Sequence, residues 1–159
     1  MVLPEKHWYS REKAAFVVSR CPKILILGLN EKLVLMVECL ATLGTKHHEV
    51  ASAIARFPHI VSRSVKEKFC PLLAFFQALG IPEKQLGKMI LLNPRLISYS
   101  IESKLKEMVD FFATLGLTRE WMIGKVLAKY PFIMGYSIDK RLCPTSDFLK
   151  SVGLFETDL

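Results

Sequence analysis

A chain of 159 residues with 51% hydrophobic and 23% charged side chains has the composition of one folded domain, and eight prolines and eight glycines are too few for a collagen-like or low-complexity chain. Cys21, Cys39, Cys70 and Cys143 lack CxxC spacing, which points away from a zinc ribbon or a disulfide scaffold and toward reduced intracellular thiols. The 22 Lys and Arg against 15 Asp and Glu leave a net charge of +7, which favours a polyanionic partner through faster encounter and counterion release.

Residues 1–10 lack the basic, apolar, small-residue order of a signal peptide, and no apolar run approaches the roughly 20 residues that span a bilayer. The first predicted element is a helix over 11–20, a partial repeat copy. At Pro22 a short apolar turn of 3₁₀ type begins, followed by a first helix that ends before Gly44 and a second helix over 46–56. The same order returns from Pro58, with a glycine at Gly80 and a second helix over 82–92. It returns again from Pro94, with Gly116 and a second helix over 118–129, and once more from Pro131 to Gly153.

These prolines lie 36, 36 and 37 residues apart, and each has its glycine 22 residues later. Further columns align. Ile24, Ile60, Leu96 and Ile133 come two residues after the prolines, and Gly28, Ser64, Ser100 and Ser137 come six after. Leu33, Phe69, Leu105 and Leu142 come eleven after, and Leu43, Leu79, Leu115 and Val152 precede the glycines. In the third copy, Ile101, Leu105, Met108, Phe112 and Leu115 form one apolar stripe, with Ser100 placed to cap it and Gly116 to close it in the left-handed conformation. Ser64 and Glu67 have capping-box spacing. Pro71 and Pro144 share a column and predict that the first helix of those copies begins near them or bends. A small residue, Ala15, Ala51, Gly87 or Gly124, sits seven before each repeat proline and predicts close approach of a neighbouring helix.

The fold expected is an all-α solenoid, right- or left-handed, of about four 36-residue helix-turn-helix repeats with 3₁₀ turns at the repeat prolines. One domain over 1–159 divides into a partial repeat 1–21, repeats 22–57, 58–93 and 94–130, and a truncated repeat 131–159. Both ends read as cut from a longer protein. Bare ends predict end-to-end self-association of the truncated chain.

The turn PRLISYS, the helix ending FFATLG, and the stretches FCPLLAFFQALG and LCPTSDFLKSVG resemble the mitochondrial transcription termination factor (mTERF) family, with wording closest to plant members. The first copy fits less well, since Leu35 and Cys39 stand where the others have proline and phenylalanine. The resemblance implies a superhelix that binds organellar DNA or RNA along a basic concave groove, acting in transcription termination, transcript maturation or splicing in chloroplast or mitochondrion. Pentatricopeptide and tetratricopeptide repeats, of similar length, do not explain the Pro, Ser and LG columns together.

One column is basic in all four copies: Lys32, Lys68, Lys104 and Arg141, ten residues after the prolines. Regular point charges suit a phosphate backbone; the rival reading has these stems lying over the next apolar column with their heads in water. Arg20, Arg56 and Lys129 sit two before the proline, with Leu92 interrupting, and Lys23, His59 and Arg95 directly after it, with Phe132 as the exception. Capping of the helix end competes with ligand contact there. Trp8, Tyr9 and Trp121 suit base stacking or, more simply, packing between helices, and Phe75, Phe111 and Phe148 read as core. Adjacent His47 and His48 do not make a two-ligand metal site, and Glu102, Glu107 and Asp110 suit surface pairing with lysines.

No nucleophile, metal-protease, P-loop or dinucleotide motif occurs, so no enzyme activity and no cofactor are expected. Two functions compete: nucleic-acid binding to double-stranded DNA or RNA, and a scaffold that holds a protein partner in its groove. No membrane association is expected.

Overall fold

The computed structural model describes residues 15, 18–19, 22–25, 29–117 and 120–154, and every regular element within them is helical. Among the described residues seven α-helices succeed one another: α1 (Leu29–Thr42), α2 (His47–Arg56), α3 (Cys70–Ala78), α4 (Glu83–Leu92), α5 (Lys106–Thr114), α6 (Glu120–Lys129) and α7 (Cys143–Ser151). The odd-numbered helices are the first helices of their repeats and the even-numbered ones the second. The helix expected over 11–20 lies outside the described residues apart from 15, 18 and 19, which are helical.

Each repeat proline opens a 3₁₀ turn: Pro22–Leu25, Pro58–Ser62, Pro94–Ser98 and Pro131–Gly135. Proline suits a first helical position because its missing N–H would have had no intrahelical partner. At the other punctuation mark, Gly44, Gly80, Gly116 and Gly153 adopt φ of 77°, 76°, 89° and 76°, a region costly for side chains with a Cβ. The reversal is hydrogen-bonded: Gly80 N–H donates to Gln77 O at 2.9 Å and Ile81 N–H to Phe76 O at 3.3 Å, which satisfies carbonyls left over at the end of α3.

The serine column caps as expected. Ser64, Ser100 and Ser137 Oγ accept the N–H of Glu67, Ser103 and Lys140 at 3.2, 3.3 and 3.3 Å. The backbone after each serine winds wider than an α-helix, for Val65–Phe69, Ile101–Leu105 and Ile138–Leu142 are π turns. Phe69, Leu105 and Leu142 N–H reach back five residues to the serine carbonyls at 3.3, 3.1 and 3.2 Å. α3 and α7 begin one residue before Pro71 and Pro144, in line with the expectation for those copies. The third copy makes the same π turn with Glu107 in the proline column, so proline is not its cause.

The core runs along the stack. Leu40, Phe76 and Phe112, one position after the predicted phenylalanine column, are buried, with Leu72, Leu86, Ile90, Leu105, Met108 and Leu127 between them. Phe75 and Phe111 are only partly buried against this core. Phe148, expected as core, is 64% exposed, because no second helix among the described residues packs over α7. The small column works as a contact point: a Cβ on Gly124 would lie 2.2 Å from the Leu79 carbonyl oxygen, and one on Gly87 3.0 Å from that of Leu43. The second helices α4 and α6 therefore seat on the Leu-Gly turn of the repeat before them.

α2 packs on α4 and α4 on α6, and consecutive proline turns stack on one another. The first helix α1 meets the next repeat through its turns at Pro58–Ser62 and Val65–Phe69.

Candidate nucleic-acid interface

The second helices bury one face and expose the other. In α4, Leu86, Gly87, Met89, Ile90 and Leu91 are buried, and in α2 Val50, Ala51, Ala53 and Ile54. Along the exposed side runs a row with a four-residue step, ten, six and two places before the next proline. The row reads His48, Ser52, Arg56 on α2 and Lys84, Lys88, Leu92 on α4, all exposed. On α6 it continues with Lys125 and Lys129, both exposed. Arg56, Lys84, Lys88, Lys125 and Lys129 thus share one stripe across three stacked helices. Glu49 and Glu83 stand at its edge, in the first turns of α2 and α4, where a carboxylate complements the helix dipole.

Between α2 and α4 the stripe dips into a groove of about 440 Å³ lined by His48, Glu49, Ser52, Arg56, Lys88, Leu91 and Leu92. The Arg56 guanidinium donates through Nη2 to the Leu91 carbonyl, at the C-terminal end of α4, and more weakly through Nε to Ser52 O at 3.5 Å. Arg56 therefore serves a helix end, though that of the next repeat. Glu49 Oε2 accepts the Lys46 N–H at 2.8 Å, which fixes the groove's acidic corner. Leu92, which breaks the basic column, is 47% exposed.

The four-copy basic column is placed differently. Lys32 and Lys68 are exposed. Lys68 lines a second, smaller cleft of about 230 Å³ with Glu67, Leu72, Tyr99, Ser100, Ile101 and Glu102, two of them carboxylates. Lys104 donates to the Tyr136 carbonyl at 2.6 Å and is half-buried. Arg141 lies over the Tyr136 ring, 4.2 Å from its centroid. Lys104 thus spends its ammonium on the protein itself, while Arg141 stays exposed. Arg95 is exposed, and Lys129 sits 5.4 Å from the centroid of the Tyr130 ring. Arg20, Trp8 and Tyr9 lie outside the described residues, as do the side chains of Lys23 and Trp121.

Two features escaped the column-by-column reading of the sequence. Lys84, Lys88 and Lys125 belong to the stripe, and the signal was there as the polar complement of the apolar positions in each second helix. Asn93 is 5% exposed and donates through Nδ2 to the Pro131 carbonyl at 3.1 Å, tying one proline turn to the next. Among the described residues no group of His, Cys, Asp and Glu could hold a metal ion, and no helix is long and apolar enough to cross a membrane. Glu102 and Lys106 form the surface pair expected from their spacing.

Stacked helix pairs with Pro and Leu-Gly punctuation and a cationic row along the second helices define a helical-repeat solenoid. Residues 2–159 match the family model mTERF, and the chain belongs to the mTERF family, which is associated with nucleic-acid-related gene expression in organelles. A curated relative, "Transcription termination factor MTERF6, chloroplastic/mitochondrial" of Arabidopsis thaliana, is 68% identical over 40 residues, covering 25% of this chain and 12% of that protein. No solved structure matches the chain.

Proposed function

We propose that this chain is a non-catalytic nucleic-acid-binding segment of an organellar gene-expression factor, in chloroplast or mitochondrion, acting in transcription termination or regulation or in RNA maturation. The observation that carries this reading is the second-helix stripe: Arg56, Lys84, Lys88, Lys125 and Lys129 repeat across three stacked helices on one face. Family membership and the relative's name support the setting. Cations at repeat spacing contact phosphates without reading bases, so they supply affinity and orientation more than sequence choice.

A fluorescence-anisotropy titration at several salt concentrations tests it. If four phosphates are neutralised, log K should fall with log salt at a slope of about −3.6 for a duplex or about −2.8 for a single strand. Changing Arg56, Lys88, Lys125 and Lys129 together to Gln should flatten that slope. A salt-independent response in the unaltered chain rejects the reading.

A further inference from the structure

We infer that the groove between α2 and α4 seats one unpaired nucleotide of a single-stranded nucleic acid, with its base on Leu92 and its phosphate between Arg56 and Lys88. The inference rests on the nucleic-acid reading above and names the form of the ligand.

The groove combines two chemistries that a bare phosphate site does not need. Arg56 and Lys88 supply charge and donors for a phosphate, with the His48 ring beside them, while Leu92 supplies an apolar wall next to the buried Leu91. Leu92 holds 47% of its surface open at the position where the neighbouring second helices carry Arg56 and Lys129. Water covers that leucine poorly, and the flat face of a nucleobase covers it well. Ser52 and the Glu49 carboxylate stand in the same groove and offer a hydroxyl and an acceptor to base or sugar edges.

Size and shape choose a single strand over a duplex. The volume, about 440 Å³, lies in the ordinary range for small-ligand sites, about 300–1,000 Å³. The groove is a surface depression between two packed helices, so a single nucleotide can enter it while a double helix would lie across its rim. In a duplex the bases are stacked and paired, which leaves no free face for Leu92. Charge complementarity is local, since Arg56 is already held at the rim by the Leu91 carbonyl and is fixed before a ligand arrives.

The test uses the 159-residue chain with four probes of equal length: oligo-dT, oligo-rU, an abasic strand carrying the same phosphates, and the dT·dA duplex. The seat predicts that both base-bearing single strands bind about five- to tenfold tighter than the abasic strand at the same salt, as expected for covering one apolar side chain with a base. Leu92→Ser should remove that difference for oligo-dT and oligo-rU while leaving abasic and duplex binding, and every salt slope, unchanged. Circular dichroism and the abasic affinity check that the variant is folded. Equal affinity for abasic and base-bearing strands, or a Leu92→Ser chain that still discriminates, overturns the seat while the charged stripe stands. No salt-dependent binding to any probe overturns both.

Discussion

Gly124 sits against Leu79 so closely that a Cβ added to the glycine would lie 2.2 Å from the leucine's carbonyl oxygen. The obstacle is backbone, part of the turn that closes α3, and it can move only if the repeat interface opens. Gly124→Ala gains about 1 kcal/mol of helix propensity yet should lower unfolding free energy by about 2 kcal/mol or more, as overpacking against a rigid neighbour does. Gly87→Ala is the control. Its Cβ would meet the Thr45 γ-methyl at 2.7 Å, the Leu43 carbonyl oxygen at 3.0 Å and the Leu43 Cβ at 3.1 Å, a milder clash than 2.2 Å against backbone. Urea denaturation should therefore rank Gly124→Ala well below Gly87→Ala, and equal stabilities would contradict the seating of second helices on Leu-Gly turns.

Asn93 offers a second probe of how repeats are fixed to one another. Its Nδ2 donor to the Pro131 carbonyl spans 38 residues in a buried site. Asn93→Leu leaves that carbonyl without its donor, which should cost about 1–3 kcal/mol. Hydrogen exchange should speed up at the Ile133 and Tyr136 amides, whose bonds hold the last proline turn, more than at those of the Pro58–Ser62 turn.

The parts legible in the sequence are those whose cause is local. A glycine at positive φ and a serine at a helix start act within a few residues, so Gly80 and Ser100 could be assigned from spacing alone. The small column was legible as a close approach, but its partner, the Leu79 carbonyl, was not, because a carbonyl leaves no mark in the pattern of side chains. The π turns were illegible for a similar reason: the third copy makes one without Pro71's counterpart. Phe148 misled because burial belongs to the neighbour as much as to the residue. The candidate site was half legible. Arg56 and Lys129 stood out as a column, whereas Lys88 and Lys125 emerge only when columns four apart are joined into one helical row.

Cys39 gives a pH test. Burial, with smaller contributions from Cys70 and Glu38, raises its thiol above the ordinary value of 9.0. The unfolded chain then loses this proton at lower pH than the folded chain. The contribution to stability is full below the unfolded value and is lost as pH rises from there through the folded value. Cys39→Ala should show a shallower loss of stability above about pH 9 than the unaltered chain does, read as the denaturation midpoint against pH. A steeper loss in the variant would reverse the sign.

Lys104 separates the two basic features of the surface. Its ammonium is engaged with the Tyr136 carbonyl at 2.6 Å, across the boundary between the third and fourth copies. Lys104→Met keeps the stem and removes the donor, and in a half-buried setting should cost about 1 kcal/mol of stability. If binding runs through the second helices, the salt slope for nucleic acid should not change. If instead the four-copy column grips the backbone, the same substitution removes one phosphate contact and lowers the slope by about 0.7 to 0.9. Lys88→Met should do the opposite, losing that increment of slope while leaving the denaturation midpoint nearly in place, because Lys88 is exposed at the groove's rim. Measuring both variants for stability and slope assigns the phosphate contact to one row or the other.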